Sequence, residues 1–230
     1  MGQANIETTQ YNIGQVFGGN FIFSIPLYQR AYAWTTEDAE RLLDDLLDAM
    51  GESTQDPKET SPYFLGSIVL TRGDKSDFEV VDGQQRLATI TMLLAALRAS
   101  IRPEKARELE KYLYYKEENV SKGIRRRCYR LALGKRDAEF FQQYIQAENG
   151  INTLGVSSSM VLSESQRNIH DNAVIFMQRL QQISEQERIW LKEFLLLRCC
   201  VVVVSTDDFD IAYRIFSVLN TRGRSLSYAD

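Results

Sequence analysis

The spacing of apolar and polar positions divides the chain into short elements. From Asn20 to Pro26, Phe21, Phe23 and Ile25 alternate with Asn20, Ile22 and Ser24, as in a half-buried strand. Thr35-Thr36-Glu37-Asp38 is a helix start, and Ala39, Leu42, Leu43, Leu46, Leu47 and Met50 then recur at helical spacing. Gly51 to Ser61 reads as a loop. Tyr63 to Thr71, a turn over Arg72 to Lys75, and Phe78 to Val81 predict a hairpin. After Gly83 a helix begins at Gln84 or Gln85, with Leu87, Ile90, Leu94, Leu97 and Ile101 on one face and Pro103 closing the run. From Glu104 to about Leu197 the pattern predicts helix throughout, with a break near Gly150 to Ser159 and a clear stripe at Ile169, Ala173, Phe176, Leu180 and Ile183. Cys199 to Val204 is an unbroken apolar run, the mark of a strand buried on both faces. Ile211, Ala212, Ile215, Phe216 and Leu219 form a last amphipathic helix before Asn220 to Gly223. The expected class is α+β, a small sheet split by a large helical insertion.

Composition narrows the chemistry. Among 230 residues there are one histidine, His170, and three cysteines, Cys128, Cys199 and Cys200. Zinc sites, histidine-dependent triads and histidine-metal nucleases need more of these residues than the chain contains. The cysteine spacing is no disulfide framework and fits a reducing cytoplasm. Met1 to Gln10 lacks the apolar stretch of a signal peptide, and Phe194 to Val204, interrupted by Arg198, is too short to span a bilayer, so no membrane partner is expected. A net charge of −4 argues against coating nucleic acid by bulk electrostatics.

Four segments can carry chemistry. In Val80-Val81-Asp82-Gly83-Gln84-Gln85-Arg86 a strand enters a glycine and a helix leaves, so unpaired backbone N–H groups favour an anion. Arg86 can add a bidentate phosphate contact, Asp82 can hold Mg²⁺ or orient a water, and Gln84 or Gln85 can position an attacking water. A turn in which Asp82 caps the helix and Arg86 pairs with a carboxylate is the structural alternative. Ile25-Pro26-Leu27-Tyr28-Gln29-Arg30-Ala31-Tyr32-Ala33-Trp34 concentrates groups that stack on bases or bond phosphates and base edges, or else aromatics that fill a core. Asn220, Thr221, Arg222 and Gly223 place polar groups on a helix end, or simply form its cap. Lys122, Arg125, Arg126, Arg127, Arg130, Lys135 and Arg136 form a basic run with no acid between Asn119 and Arg136, suited either to a phosphate backbone or to a solvated helix face.

Taken together, Ile25-Pro26-Leu27-Tyr28-Gln29-Arg30-Ala31-Tyr32-Ala33-Trp34, Phe64-Leu65-Gly66-Ser67-Ile68, Val81-Asp82-Gly83-Gln84-Gln85-Arg86-Leu87-Ala88-Thr89 and Phe216-Ser217-Val218-Leu219-Asn220-Thr221-Arg222-Gly223 resemble the N-terminal domain of GmrSD-type restriction proteins, the family long called domain of unknown function 262. The resemblance is close over Phe21 to Leu97 and again over Cys199 to Ser227. It implies a ParB/sulfiredoxin-like fold: a nucleotide-binding core over residues 1–103, a helical insertion over 104–197, and a strand and helix returning over 198–230 to complete the core. It further implies a bacterial anti-phage role in which GTP or ATP is bound and hydrolysed, with Mg²⁺ as a possible cofactor at Asp82, to regulate cleavage of modified DNA. On that resemblance Asp82, Gln84, Gln85 and Arg86 are the catalytic candidates. Gly83, Arg30, Asn220 and Arg222 are the nucleotide-binding candidates. Tyr28, Gln29, Arg30, Arg125, Arg126, Arg127 and Arg130 are the candidates for modified DNA. The implied partner is a C-terminal nuclease domain of the His-Asn-His type or a partner nuclease subunit, with the chain expected to continue past residue 230, and a homodimer is compatible. The rival reading is a non-catalytic reader of modified DNA; a dimerisation scaffold is a third.

Overall fold

The computed structural model describes residues 5–51, 59–72, 77–119, 124–156 and 161–223. Its centre is a six-stranded mixed sheet. In spatial order the strands are β1 (Ile6–Asn12), β8 (Cys199–Thr206), β3 (Tyr63–Arg72), β4 (Phe78–Asp82), β2 (Phe23–Ser24) and β7 (Leu131–Ala132). β3 pairs antiparallel with β4, as the hairpin reading expected, and parallel with β8. β8 is buried along nearly its whole length, which is why its sequence shows no alternation.

One face of the sheet carries the main core. Helices α1 (Ile13–Gly18), α2 (Thr36–Met50), α3 (Gln84–Ser100), α7 (Glu164–Gln181) and α8 (Glu185–Leu197) contribute to it. α2 starts as its sequence promised, with the Asp38 carboxylate accepting from the Thr35 N–H at 3.0 Å. α3 differs from expectation. Its first-choice apolar stripe is only part of what it buries, because Ala88, Met92, Leu93, Ala95 and Ala96 are buried too. A helix apolar on all sides belongs at the centre of a core. The opposite face of the sheet carries α9 (Phe209–Gly223), whose Ala212, Ile215 and Phe216 meet Val69 and Val81.

The stretch 104–197 corrects the expectation of continuous helix. It holds α4 (Pro103–Arg107), with Pro103 opening this helix, then α5 (Glu110–Leu113) and an antiparallel pair of strands, β5 (Tyr114–Asn119) and β6 (Ile124–Tyr129). α6 (Lys135–Phe141) follows, then a π-helical turn (Gln142–Gln146), a 3-10 segment (Gly150–Val156), α7 and α8. Both strands carry charge on successive positions, so apolar alternation is missing and periodicity cannot identify them. β7 also comes from this stretch, and it pairs with β2, so the middle of the chain supplies an edge of the central sheet. The other edge, β1, comes from the polar N-terminal segment that sequence patterning left unassigned. Among the described residues no helix is long and apolar enough to cross a membrane.

Candidate functional site

β4 delivers Asp82 to the edge of the core, and Gly83 turns the chain into α3. Gly83 has φ +94°, a left-handed conformation, and a β-carbon there would lie 3.1 Å from Ile68 Cγ1. The first helical bond runs from the Leu87 N–H to the Gly83 carbonyl at 2.9 Å. The N–H groups of Gln84, Gln85 and Arg86 therefore precede the helical ladder, at the positive end of the helix dipole.

Three glutamine side chains sew the segment 29–34 onto this junction. Gln29 Nε2 donates to the Val81 carbonyl at 2.9 Å, and Gln84 Nε2 to the Arg30 carbonyl at 3.0 Å. Gln85, only 7% exposed, accepts from the Ala33 N–H at 2.8 Å and the Trp34 N–H at 3.3 Å, and donates to the Ala31 carbonyl at 3.2 Å. Both ends of its amide thus bind backbone. The expectation that Gln85 orients an attacking water is replaced by a structural finding: it holds the loop.

Behind the loop runs a buried relay. Thr89 Oγ1 donates to the Gln85 carbonyl at 2.8 Å, so its single hydrogen is committed and the Tyr32 hydroxyl, 2.7 Å away, donates to it. Tyr32 Oη in turn accepts from Asn172 Nδ2 at 2.7 Å, and the same Nδ2 donates to the Trp34 carbonyl at 2.9 Å. Burial, above all, pushes the Tyr32 phenol up to about 12, so it stays a neutral donor. Tyr32 and Trp34 thus serve the core and the loop anchor. Asn172, from α7, was missed by sequence reading because a lone asparagine in a helical stripe carries no signal.

Between this loop and the turn that follows β7 lies a cavity of about 400 Å³. Ile25, Ala88 and Leu133 give it an apolar wall, while Gln84, Gln85, Arg30, Lys135 and Arg136 line its polar parts. Its size falls within the range of about 300–1,000 Å³ usual for small-ligand sites. Of the expected nucleotide-binding residues, Arg30 borders this cavity. Asn220 and Arg222 belong to the last turns of α9, but their side chains lie outside the described residues.

Arg86 is on the other flank of the same helical turn. Its Nη1 donates to the Ser67 carbonyl at 2.8 Å, and its guanidinium lies across Gly66, where a β-carbon would be 2.9 Å from Nη2. Gly66 has φ +106°, so the glycine of the Phe64-Leu65-Gly66-Ser67-Ile68 segment provides both a special backbone conformation and room for the arginine. Burial draws the Arg86 guanidinium below its usual range and the nearby Asp82 charge opposes this; an arginine in that state remains cationic. A second cavity of about 230 Å³ lies on this flank, lined by Arg86 with Asp38, Arg41, Asp45 and Tyr63 among others.

Tyr28 is 58% exposed and meets the Phe209 ring edge-on, with centroids 5.5 Å apart; Phe209 continues to Tyr213. These rings make a small aromatic surface at the start of α9, and Arg30 follows Tyr28 by two residues in the chain.

The basic run does not form the cationic helix face that was considered. Residues 125–127 lie in the strand β6, in register with Glu118, Glu117 and Lys116 of β5. The side chains of Arg125 and Arg126 lie outside the described residues, as does all of Lys122. Arg127 pairs with Glu148 at 2.8 Å and stacks on Tyr114. Arg130 is 9% exposed; its Nε donates to the Lys111 carbonyl at 3.0 Å and its Nη1 to the Gly19 carbonyl at 2.6 Å, under the ring of Tyr115. Arg130 is therefore a core clamp, a correction to its expected place on a DNA-facing surface. Counting charges along the sequence could not show an acid that arrives from elsewhere in the chain.

A divalent metal held by protein alone needs several ligands, and among the described residues no group of three His, Cys, Asp or Glu side chains could hold one. Mg²⁺ carried in by a polyphosphate would ask for only one or two carboxylates, and Asp82 is the carboxylate of the β4–α3 junction that would serve. In comparison with known families, the model described as GmrSD restriction endonuclease, N-terminal domain, matches residues 13–230. No curated protein matches the chain.

Proposed function

The chain belongs to the family of GmrSD restriction endonuclease N-terminal domains, which gives it a role in a restriction system, and from that premise we propose that it binds and hydrolyses a nucleoside triphosphate as the sensor of that system. The observation that carries the reading is the cavity of about 400 Å³ beside the first turn of α3, apolar along one wall and polar at the helix start. The base and sugar occupy the apolar wall. The phosphates lie across the α3 turn, where the N–H groups of Gln84, Gln85 and Arg86 favour negative charge. Arg30 neutralises phosphate from the loop side and Arg86 from the far flank. Gln84 and Asp82 position the attacking water, and Gln85 holds the loop that carries Arg30. Mg²⁺, when bound with the nucleotide, supplies charge neutralisation at the phosphate oxygens.

Tyr28, Gln29 and Arg30 give this sensor its second surface. With Arg130 drawn into the core and Arg127 paired, the exposed Tyr28–Phe209–Tyr213 rings are the better candidate for reading modified DNA. Cleavage falls to a nuclease domain or subunit acting with this one.

Phosphate release from GTP and ATP tests the reading. Asp82→Ala and Arg86→Ala are each expected to lower turnover by about 100-fold or more while circular dichroism stays that of the wild type. Unchanged turnover in both variants overturns it. Binding to modified duplex without any turnover in the wild type favours the non-catalytic reader instead.

A further inference from the structure

The turn between β7 and α6 faces Arg30 across the cavity, and it brings two cations that the phosphate-binding reading above does not use. Lys135 and Arg136 are exposed, line the cavity, and enter no ion pair among the described residues; the same is true of Arg30. Elsewhere the chain matches cations to acids readily: Arg102 with Glu185, Arg127 with Glu148, Arg179 with Glu40 and Asp44, Lys192 with Glu108. In a protein of net charge −4, three unmatched cations around a cavity with one lining acid, the buried and hydrogen-bonded Asp137, are a local reversal of sign.

The backbone beneath the two cations is fixed while their side chains are free. Gln166 Nε2 donates to the Arg136 carbonyl at 3.0 Å, and the Ser165 hydroxyl donates to the Asp137 carboxylate at 2.8 Å. Both donors come from the first turn of α7. The same helix, through Asn172, holds Tyr32 and Trp34 on the opposite wall. One helix therefore sets the distance between the cationic turn and the loop that carries Arg30, so the order needed to grip an anion is largely in place before binding.

We propose that Lys135 and Arg136 are ligand-binding residues which hold the terminal phosphates of a nucleoside triphosphate from the wall opposite Arg30, so that the middle stretch of the chain completes the site. The proposal rests on the nucleotide reading above and adds to it how triphosphate is told from monophosphate.

The test is equilibrium binding of non-hydrolysable GTP and ATP analogues, and of GMP and AMP, to the wild-type chain, to Lys135→Ala/Arg136→Ala and to Lys135→Arg. Lys105→Ala, which removes a cation paired with Glu108, serves as the control. The double variant is expected to lose about tenfold or more in triphosphate affinity and less than about threefold in monophosphate affinity. Lys135→Arg, which keeps the charge, is expected to lose less triphosphate affinity than the double variant, and the control to bind like the wild type, with unfolding temperatures unchanged in all. Equal triphosphate affinity in wild type and double variant overturns the proposal and leaves the nucleotide reading standing. Equal loss for triphosphate and monophosphate also overturns it, because the turn then shapes the cavity without reading phosphate. A wild type that binds none of the four ligands overturns both.

Discussion

Two glycines decide where the chemistry-bearing side chains can go. Gly83 lets β4 turn into α3 within one residue, and Gly66 lets the Arg86 guanidinium lie across β3. Adding a methyl at Gly66 forces a side chain into a left-handed conformation and into the space of Arg86. The strain costs about 1–2 kcal/mol, or about 2–8 °C of unfolding temperature in a chain of this size. Gly66→Ala is expected to show that shift by calorimetry together with a fall in phosphate release, because Arg86 must move. A variant with wild-type stability and turnover would show that Arg86 has no need of the glycine. At this scale the sequence was informative about location and silent about purpose. The Asp82 to Arg86 segment stood out by its strand-glycine-helix grammar, yet nothing in that grammar distinguishes Gln85, which binds backbone with both ends of its amide, from Gln84, whose Nε2 reaches the Arg30 carbonyl from an exposed position. Hydrogen-bond partners 50 or so residues away are set by the fold, not by neighbours in the chain.

The loop 29–34 is a stretch without regular structure that behaves as part of the core because side chains replace the backbone partners a strand would have. Gln85→Ala removes partners from the Ala33 and Trp34 N–H groups and the Ala31 carbonyl, groups that cost about 1–3 kcal/mol each when left buried and unpaired. Hydrogen exchange at Ala33 and Trp34 is expected to speed by about tenfold or more, with exchange in the middle of α3 unaltered and nucleotide affinity reduced. Unchanged exchange at those two amides would mean that Tyr32 and Asn172 anchor the loop unaided. Helices α2, α3, α7 and α9 and strands β3, β4 and β8 were legible because each repeats its apolar positions for two turns or more, or alternates or saturates as a strand does. The pair β5–β6 was not, since each strand carries charge on successive positions and shows no alternation of polar and apolar groups. The strand expected over Asn20 to Pro26 is present as β2, though only Phe23–Ser24 is paired; β7 was illegible for another reason, because two residues cannot show a period and its place is fixed by the Phe23 N–H bonding to the Arg130 carbonyl and the Ile25 N–H to the Ala132 carbonyl.

Across the whole molecule, the central sheet gathers strands from the N-terminus, the middle and the far end of the chain, and the cavity lies where the middle stretch returns to the sheet edge. Net charge conceals this arrangement. Arg127 of β6 is paired with Glu148 and Arg130 is drawn into the core, while Arg30 and the Lys135–Arg136 pair, about a hundred residues apart, meet around one cavity. The most direct check on the central claim is a crystal structure of the chain with a non-hydrolysable GTP or ATP analogue and Mg²⁺. The expected result is a triphosphate lying against the N–H groups of Gln84 to Arg86, with Arg30 on one side and Lys135 and Arg136 on the other. An analogue seated on the Tyr28–Phe209 rings with the cavity empty would contradict it.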